Sequence, residues 1–194
     1  MQVLAMLSAH PGSGQITVLV NLASGLVRQG KRVLIGQLGL SLKLLDWLGV
    51  AGDGNSCDSD LAGILASAAN QIRSARFGLD LLNIPLSLAE QNSLETLQPV
   101  LAQLGYNYLI LNLTVPETRA FVPPQARLLV CTDLQGENEA AEIQKLQRKL
   151  QSNNQISLII PNRINTKEWK HNNEQLSALG EHFGYERMVD PLPT

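Results

Sequence analysis

Short aliphatic runs alternate along the chain with stretches in which apolar positions recur every three to four residues. Gly, Pro, Asn or Asp marks each changeover. This alternation predicts a mostly parallel sheet with helices on both faces, a doubly wound, three-layer α/β unit. Strands are expected at 2–8, 32–37, 79–84, 108–113, 127–131, 156–160 and 185–189, and helices at 15–29, 40–48, 60–69, 93–104, 137–150 and 172–183. The first helix presents Val18, Leu22, Gly25 and Leu26 as its apolar face, and Gly30 stops it. Residues 49–59 and 114–124 read as irregular loops, and no internal repeat or linker divides the chain, so one domain over 1–194 is expected.

Composition narrows the classes. The 194 residues include 15 Lys or Arg and 17 Asp or Glu, and 15 − 17 leaves a formal charge of −2, too little to steer the chain to nucleic acid at long range. Hydrophobic residues at 44% and aromatics at 4% exclude a disordered chain and an aromatic-rich binding platform. Cys57 and Cys131 form neither a Cys-x-x-Cys pair nor a disulfide framework, which suits a reducing cytosol. No apolar run reaches membrane-spanning length and no positively charged segment precedes one at the start, so a cytoplasmic protein is expected.

The first strand runs into Ala9-His10-Pro11-Gly12-Ser13-Gly14-Gln15-Ile16-Thr17 and then a helix, the setting of a phosphate-binding loop. Such a loop curls backbone N–H groups around phosphate, with a Lys after its last Gly and a hydroxyl next to it for Mg²⁺. Here Pro11 lacks an N–H, Gln15 stands at the Lys position and Ile16 at the hydroxyl position. A Gly-x-Gly-x-x-Gly pattern is not met either, which leaves a dinucleotide fold as runner-up. A glycine-rich strand-to-helix turn that never held a ligand is the plain structural alternative.

From this turn through Lys31-Arg32-Val33-Leu34-Ile35, the sequence resembles the deviant Walker A region of the ParA/MinD family, P-loop ATPases of the SIMIBI class, whose loop reads Lys-Gly-Gly-x-Gly-Lys-Ser/Thr-Thr. On that pattern His10 replaces the signature Lys and Pro11 the first Gly, Gly12 and Gly14 are kept, and Ser13 is the variable position. Gln15 falls on the phosphate Lys, Ile16 on the Mg²⁺ hydroxyl and Thr17 on the second Thr. The resemblance extends over nearly the whole chain. Gln37-Leu38-Gly39 stands where the family has Asp-x-Asp, and Asn112 ends the strand that carries its Walker B Asp. Pro161-Asn162-Arg163 is similar to the Asn-Arg pair whose Asn reads adenine, and the segment containing Pro191 is similar to the last purine-side loop.

The resemblance implies a P-loop ATPase fold with its chemistry eroded. Contacts to charged groups are worth about 1.5–3 kcal/mol each, so losing the Lys and one metal ligand removes about 3–6 kcal/mol. A micromolar site then moves to the high-micromolar or millimolar range, and phosphoryl transfer suffers more than binding. No catalytic residue, metal or cofactor is expected, with ATP or ADP held weakly at most. The leading expectation is an inactive ParA/MinD-like pseudo-ATPase that marks a position or recruits protein partners. Its alternatives are a nucleotide-binding dimer switch and an active ParA-type ATPase partitioning DNA or protein cargo. A homodimer of the family's face-to-face kind would use the turn at 9–17 and the loop after Asn112, with Leu38, Leu40, Val115 and Pro116 as apolar contacts.

Other polar features have plainer readings. Gln37 and Asn112 suit strand ends as neutral amides, where an unpaired carboxylate would be costly. Lys145, Arg148 and Lys149 follow Glu137, Glu139 and Glu142, as on a solvated helix with i,i+3 and i,i+4 pairs. Lys167, Lys170 and His171 form a small basic cluster from which weak or no nucleic-acid contact is expected, and His171 and His182 read as surface residues. The sequence stops one residue after Pro193, so the terminal helices of the family, including the membrane-targeting helix of the MinD branch, are expected to be missing, and with them membrane insertion.

Overall fold

The computed structural model describes residues 1–38, 41–50, 71–84, 93–113, 122–123, 125–149 and 155–193. Among these residues eight strands lie in the order β3-β4-β2-β5-β1-β6-β7-β8: β1 (Gln2–Ser8), β2 (Val33–Leu38), β3 (Arg73–Ser74), β4 (Asp80–Ile84), β5 (Tyr108–Asn112), β6 (Arg127–Thr132), β7 (Ile156–Ile164) and β8 (Leu192–Pro193). All neighbours run parallel except the edge pair β3–β4. The expected doubly wound, P-loop-type sheet is what the chain forms. The central strands are buried along almost their whole length, as near-continuous aliphatic runs covered on both faces must be.

Among the described residues the helices are α1 (Gln15–Arg28), α2 (Leu42–Leu48), α3 (Ser93–Gln103), α4 (Glu139–Lys149) and α5 (Trp169–Phe183). These pack on both faces of the sheet. Leu97 and Leu101 of α3, Ile143 and Leu146 of α4, and Leu179 and Phe183 of α5 pack on one face of the sheet, whereas α1 and α2 supply the helical residues of the core on the other. Burying each such side chain contributes about 1.5–3 kcal/mol.

Local chemistry sets the element ends. Helix α1 stops where Gly30 turns left-handed at φ +76°, with Gly30 N–H donating to Val27 O and Lys31 N–H to Leu26 O, the paired bonds of a Schellman cap. Ser41 caps α2 through its hydroxyl, so that helix begins at Leu42 rather than 40. Asn165 caps a 3₁₀ turn at Thr166–Glu168 that leads straight into α5, which therefore starts three residues before the predicted 172.

Two expectations are corrected. The predicted final strand at 185–189 is a 3₁₀ turn, Tyr185–Arg187, followed by a single bridge from Met188 to Ile159. Tyr185 folds back over the bare Cα of Gly180, where an added Cβ would lie 2.2 Å from the ring, and that packing bends the chain out of strand geometry. Helix α1 buries Val18, Leu19, Val20 and Ala23, whereas Leu22, Gly25 and Leu26 of its predicted apolar face are only half-buried. The predicted helix at 60–69 lies outside the described residues, as does Cys57.

Candidate functional site

Because β1, β2 and β5 are in parallel register, Gln37 and Met6 both stand level with Asn112 at the carboxyl ends of their strands, where ligands bind in open α/β sheets. Gln15, the first residue of α1, points back into this mouth. Its Nε2 donates to Asn112 Oδ1 at 2.8 Å and Met6 O at 3.0 Å, with Leu113 O at 3.4 Å. Asn112 Nδ2 donates in turn to Gln37 Oε1 at 2.6 Å, and Gln37 Nε2 donates to Leu38 O at 2.9 Å. Gln37 and Asn112 are fully buried and Gln15 nearly so. Three neutral amides thus satisfy one another in a place where an unmade hydrogen bond costs about 1–3 kcal/mol.

The turn itself is filled from within. Gly14 adopts φ +84°, and a Cβ there would lie 2.2 Å from Asn162 Nδ2. That amide donates to Ser13 O at 2.8 Å, and Arg163 Nη1 donates to Gly12 O at 2.7 Å. Arg163 reaches over the turn from a left-handed backbone at φ +60°, where the β7–β8 register shifts. Ser8 Oγ donates to His10 O, so the 2.8 Å contact between Ser8 and Ser13 hydroxyls has Ser13 as donor. Cys131 Sγ also donates to Ser13 O, at 3.3 Å, and burial pushes its thiol up to about 11.

His10 is tied sideways. Its Nε2 lies 2.9 Å from Glu139 Oε1, and the same carboxylate accepts from Gly136 N–H at 2.7 Å and Thr132 Oγ1 at 2.5 Å. Glu139 is fully buried, which corrects its reading as part of a solvated helix: its donors come from β6, the following turn and the loop after β1. Its own N–H donates to Gln175 Oε1. Sequence reasoning missed the site roles of Glu139, Thr132 and Ser8. The available signal was Thr132 at a strand end, seven residues ahead of an acidic first turn.

The remaining predicted residues are placed as follows. Pro11, Gly12 and Pro191 are exposed, and Ile16 and Thr17 half-buried. Leu38 is 1% exposed within the core, so it is corrected as a surface contact, while Leu40, Val115 and Pro116 lie outside the described residues. The basic cluster is not one surface unit, because His171 turns inward to bond Leu134 O while Lys167 and Lys170 stay exposed. His182 bonds Gln144 at the surface, and Lys145 pairs with Glu142 as expected of α4.

Residues placed in this way do not fit a Mg²⁺-nucleotide. Where the resemblance places a Lys and a hydroxyl stand the amide of Gln15 and the aliphatic Ile16, where it places carboxylates stand Gln37 and Asn112, bonded to each other, and Asn162 occupies the space beside Gly14. Among the described residues, no three His, Cys, Asp or Glu side chains gather into a metal-binding group. The feature suited to an anion is the first turn of α1, whose N–H groups precede the intrahelical ladder.

No family model matches this sequence, and no curated protein matches it. The solved structures that resemble it agree with one another. Cobyrinic acid a,c-diamide synthase from Mycobacterium smegmatis, with bound ADP and magnesium, superposes with a TM-score of 0.74 at 19% identity, over 100% of this chain and 86% of that one. Apo McdA from Cyanthece gives 0.73 at 17% identity, over 100% and 86%. The MinC:MinD cell division complex of Aquifex aeolicus gives 0.66 at 18% identity, over 100% and 81%. The protein has the fold of the ParA/MinD-type P-loop ATPases.

Proposed function

We propose that this chain is a ParA/MinD-like pseudo-ATPase: a single domain that marks a position or recruits protein partners and does not hydrolyse ATP. In this reading His10–Thr17, Gln37 and Asn112 are a vestigial phosphate and Mg²⁺ site, and Asn162, Arg163 and Pro191 its former adenine side. The supporting observation is the buried amide chain Gln15–Asn112–Gln37, which closes the mouth of the sheet with neutral groups. Phosphoryl transfer depends on cations that follow developing negative charge; the position of the loop Lys holds the neutral Gln15, and the Arg163 guanidinium beside the turn is bonded to Gly12 O. The N-terminal turn of α1, where helix N–H groups point at an anion, favours a second reading, weak nucleotide binding without turnover, as in a dimer switch.

Calorimetric titration with ATP and ADP, with and without Mg²⁺ and alongside sedimentation, separates the readings. Absence of saturable binding supports the scaffold, and binding without turnover supports the switch. Tight Mg²⁺-dependent binding coupled to dimerisation and turnover would mark an active ATPase.

A further inference from the structure

The Glu139 carboxylate is 0% exposed and accepts donors from three segments: Thr132 Oγ1 at the end of β6, Gly136 N–H in the following turn, and His10 Nε2 in the glycine-rich turn. Among the described residues His10 is its one ionisable partner. A carboxylate filled by donors only accepts, so Nε2 carries the imidazole's proton. The imidazole is 28% exposed, within reach of solvent protons, while the carboxylate behind it is not. Their approach depends on Gly136, where a Cβ would lie 2.7 Å from Glu139 Oε1 and 3.0 Å from His10 Nε2. His10 is also tied into its own turn. Its carbonyl accepts from Ser8 Oγ and, at 3.4 Å, from Ser13 N–H, and Ser13 O in turn accepts from Asn162 and Cys131.

We infer that the His10–Glu139 pair is a pH-sensitive latch that holds the glycine-rich turn to residues 133–138, more tightly when the imidazole carries its second proton. Neutral, His10 gives Glu139 an ordinary hydrogen bond; protonated, it gives a charge-assisted one, about twice as strong. Thr132 and Gly136 cannot change charge, so the pH response rests on one bond of the three. A histidine takes up that proton between about pH 8 and 5, so the added attraction is absent at the upper end and complete at the lower. The other ionisable groups around the pair are engaged elsewhere or open to solvent. In the turn after β6, Asp133 accepts from Gln135 N–H and Glu137 is exposed. On β7 Arg163 donates to Gly12 O, and on α5 His171 bonds Leu134 O, while Gln175, which accepts from Glu139 N–H, is neutral. The first turn of α1 brings no charge. The inference goes beyond the reading above and stands whether or not nucleotide binds.

The test compares the unaltered full chain with His10→Gln, which keeps a neutral donor but cannot take up charge, and with Gly136→Ala, which keeps the imidazole but pushes it from the carboxylate. Amide exchange at Ser13, read by NMR at about pH 8 and about pH 5.5 and corrected for the intrinsic pH dependence of exchange, reports the opening of the turn. Protection is expected to rise about five-fold towards the lower pH in the unaltered chain, the scale of adding charge to one hydrogen bond, and by less than about two-fold in either variant. His171, present in all three proteins, is the internal control. Ring-nitrogen NMR of the unaltered chain should show neutral His10 as the Nε2–H tautomer. Three results overturn the inference: a pH response of the same size in the unaltered chain and either variant, which places its origin outside this pair; no response in the unaltered chain; or a neutral His10 protonated on Nδ1.

Discussion

Gln15 Nε2 stands 2.8 Å from Asn112 Oδ1, joining the start of α1 to the end of β5 across the mouth of the sheet. Two amides meet where the resemblance places a cation and a carboxylate. The bond accounts for the neutrality of both positions at once, because either residue charged alone would be buried opposite a neutral partner.

Asn112→Ala removes the acceptor of Gln15 and the donor of Gln37 together. A loss of about 1–3 kcal/mol in urea-unfolding stability is expected from the buried amide left without a partner. Asn112→Asp should cost more at pH 7.5 than at pH 5, because only a protonated carboxyl can still donate to Gln37 Oε1. Equal losses at the two pH values would contradict the assigned bond direction.

The two positive-φ glycines of the turn separate backbone strain from crowding. Gly12→Ala, with open space around its Cβ, should lose about 1 kcal/mol for its φ of +92° alone. Gly14→Ala should lose distinctly more, because its Cβ meets Asn162, and Asn162→Ala should recover part of the difference. Thermal melts of the four variants read this directly.

Glu139→Ala deprives Thr132, Gly136 and His10 of a shared buried acceptor and should destabilise by about 3–5 kcal/mol. His10→Ala, at a half-exposed site, should cost about 1 kcal/mol or less. Comparable losses in the two variants would mean that His10, rather than the Thr132 and Gly136 bonds, holds the carboxylate.

Cys131 carries a pH signature. Its folded thiol is raised from 9.0 to about 11, first by burial, so the unfolded chain releases this proton at lower pH than the folded one. The thiol's contribution to stability is complete below about pH 9 and lost as pH rises towards about 11. In a Cys57→Ser background, a thiol reagent at pH 8 should leave Cys131 unmodified until denaturant is added. Rapid labelling of the folded protein would contradict its burial.

The aliphatic runs made β1, β2, β5 and β6 legible, because strands covered on both faces need little but apolar side chains, and the strand-to-helix order made the sheet legible with them. The turn at 185–187 was not, since it depends on Tyr185 reaching Gly180 in the folded chain. The candidate site divides in the same way. The identities of Gln15, Gln37 and Asn112 announced a neutral mouth, but their direct bonding follows from register, which pairs Gln37 with Asn112 only once the sheet exists. Glu139 gave no sign of burial, because a Glu in a helix's first turn is ordinarily solvated and its three donors come from separate segments.

Titration of the purified chain with Mg²⁺-ATP, followed by heat and by phosphate release in the same sample, bears most directly on the pseudo-ATPase reading. The predicted result is no saturable heat below about 1 mM and no phosphate above the protein-free rate. Micromolar, Mg²⁺-dependent binding with turnover that disappears on altering Gly14 or Gln15 would contradict it.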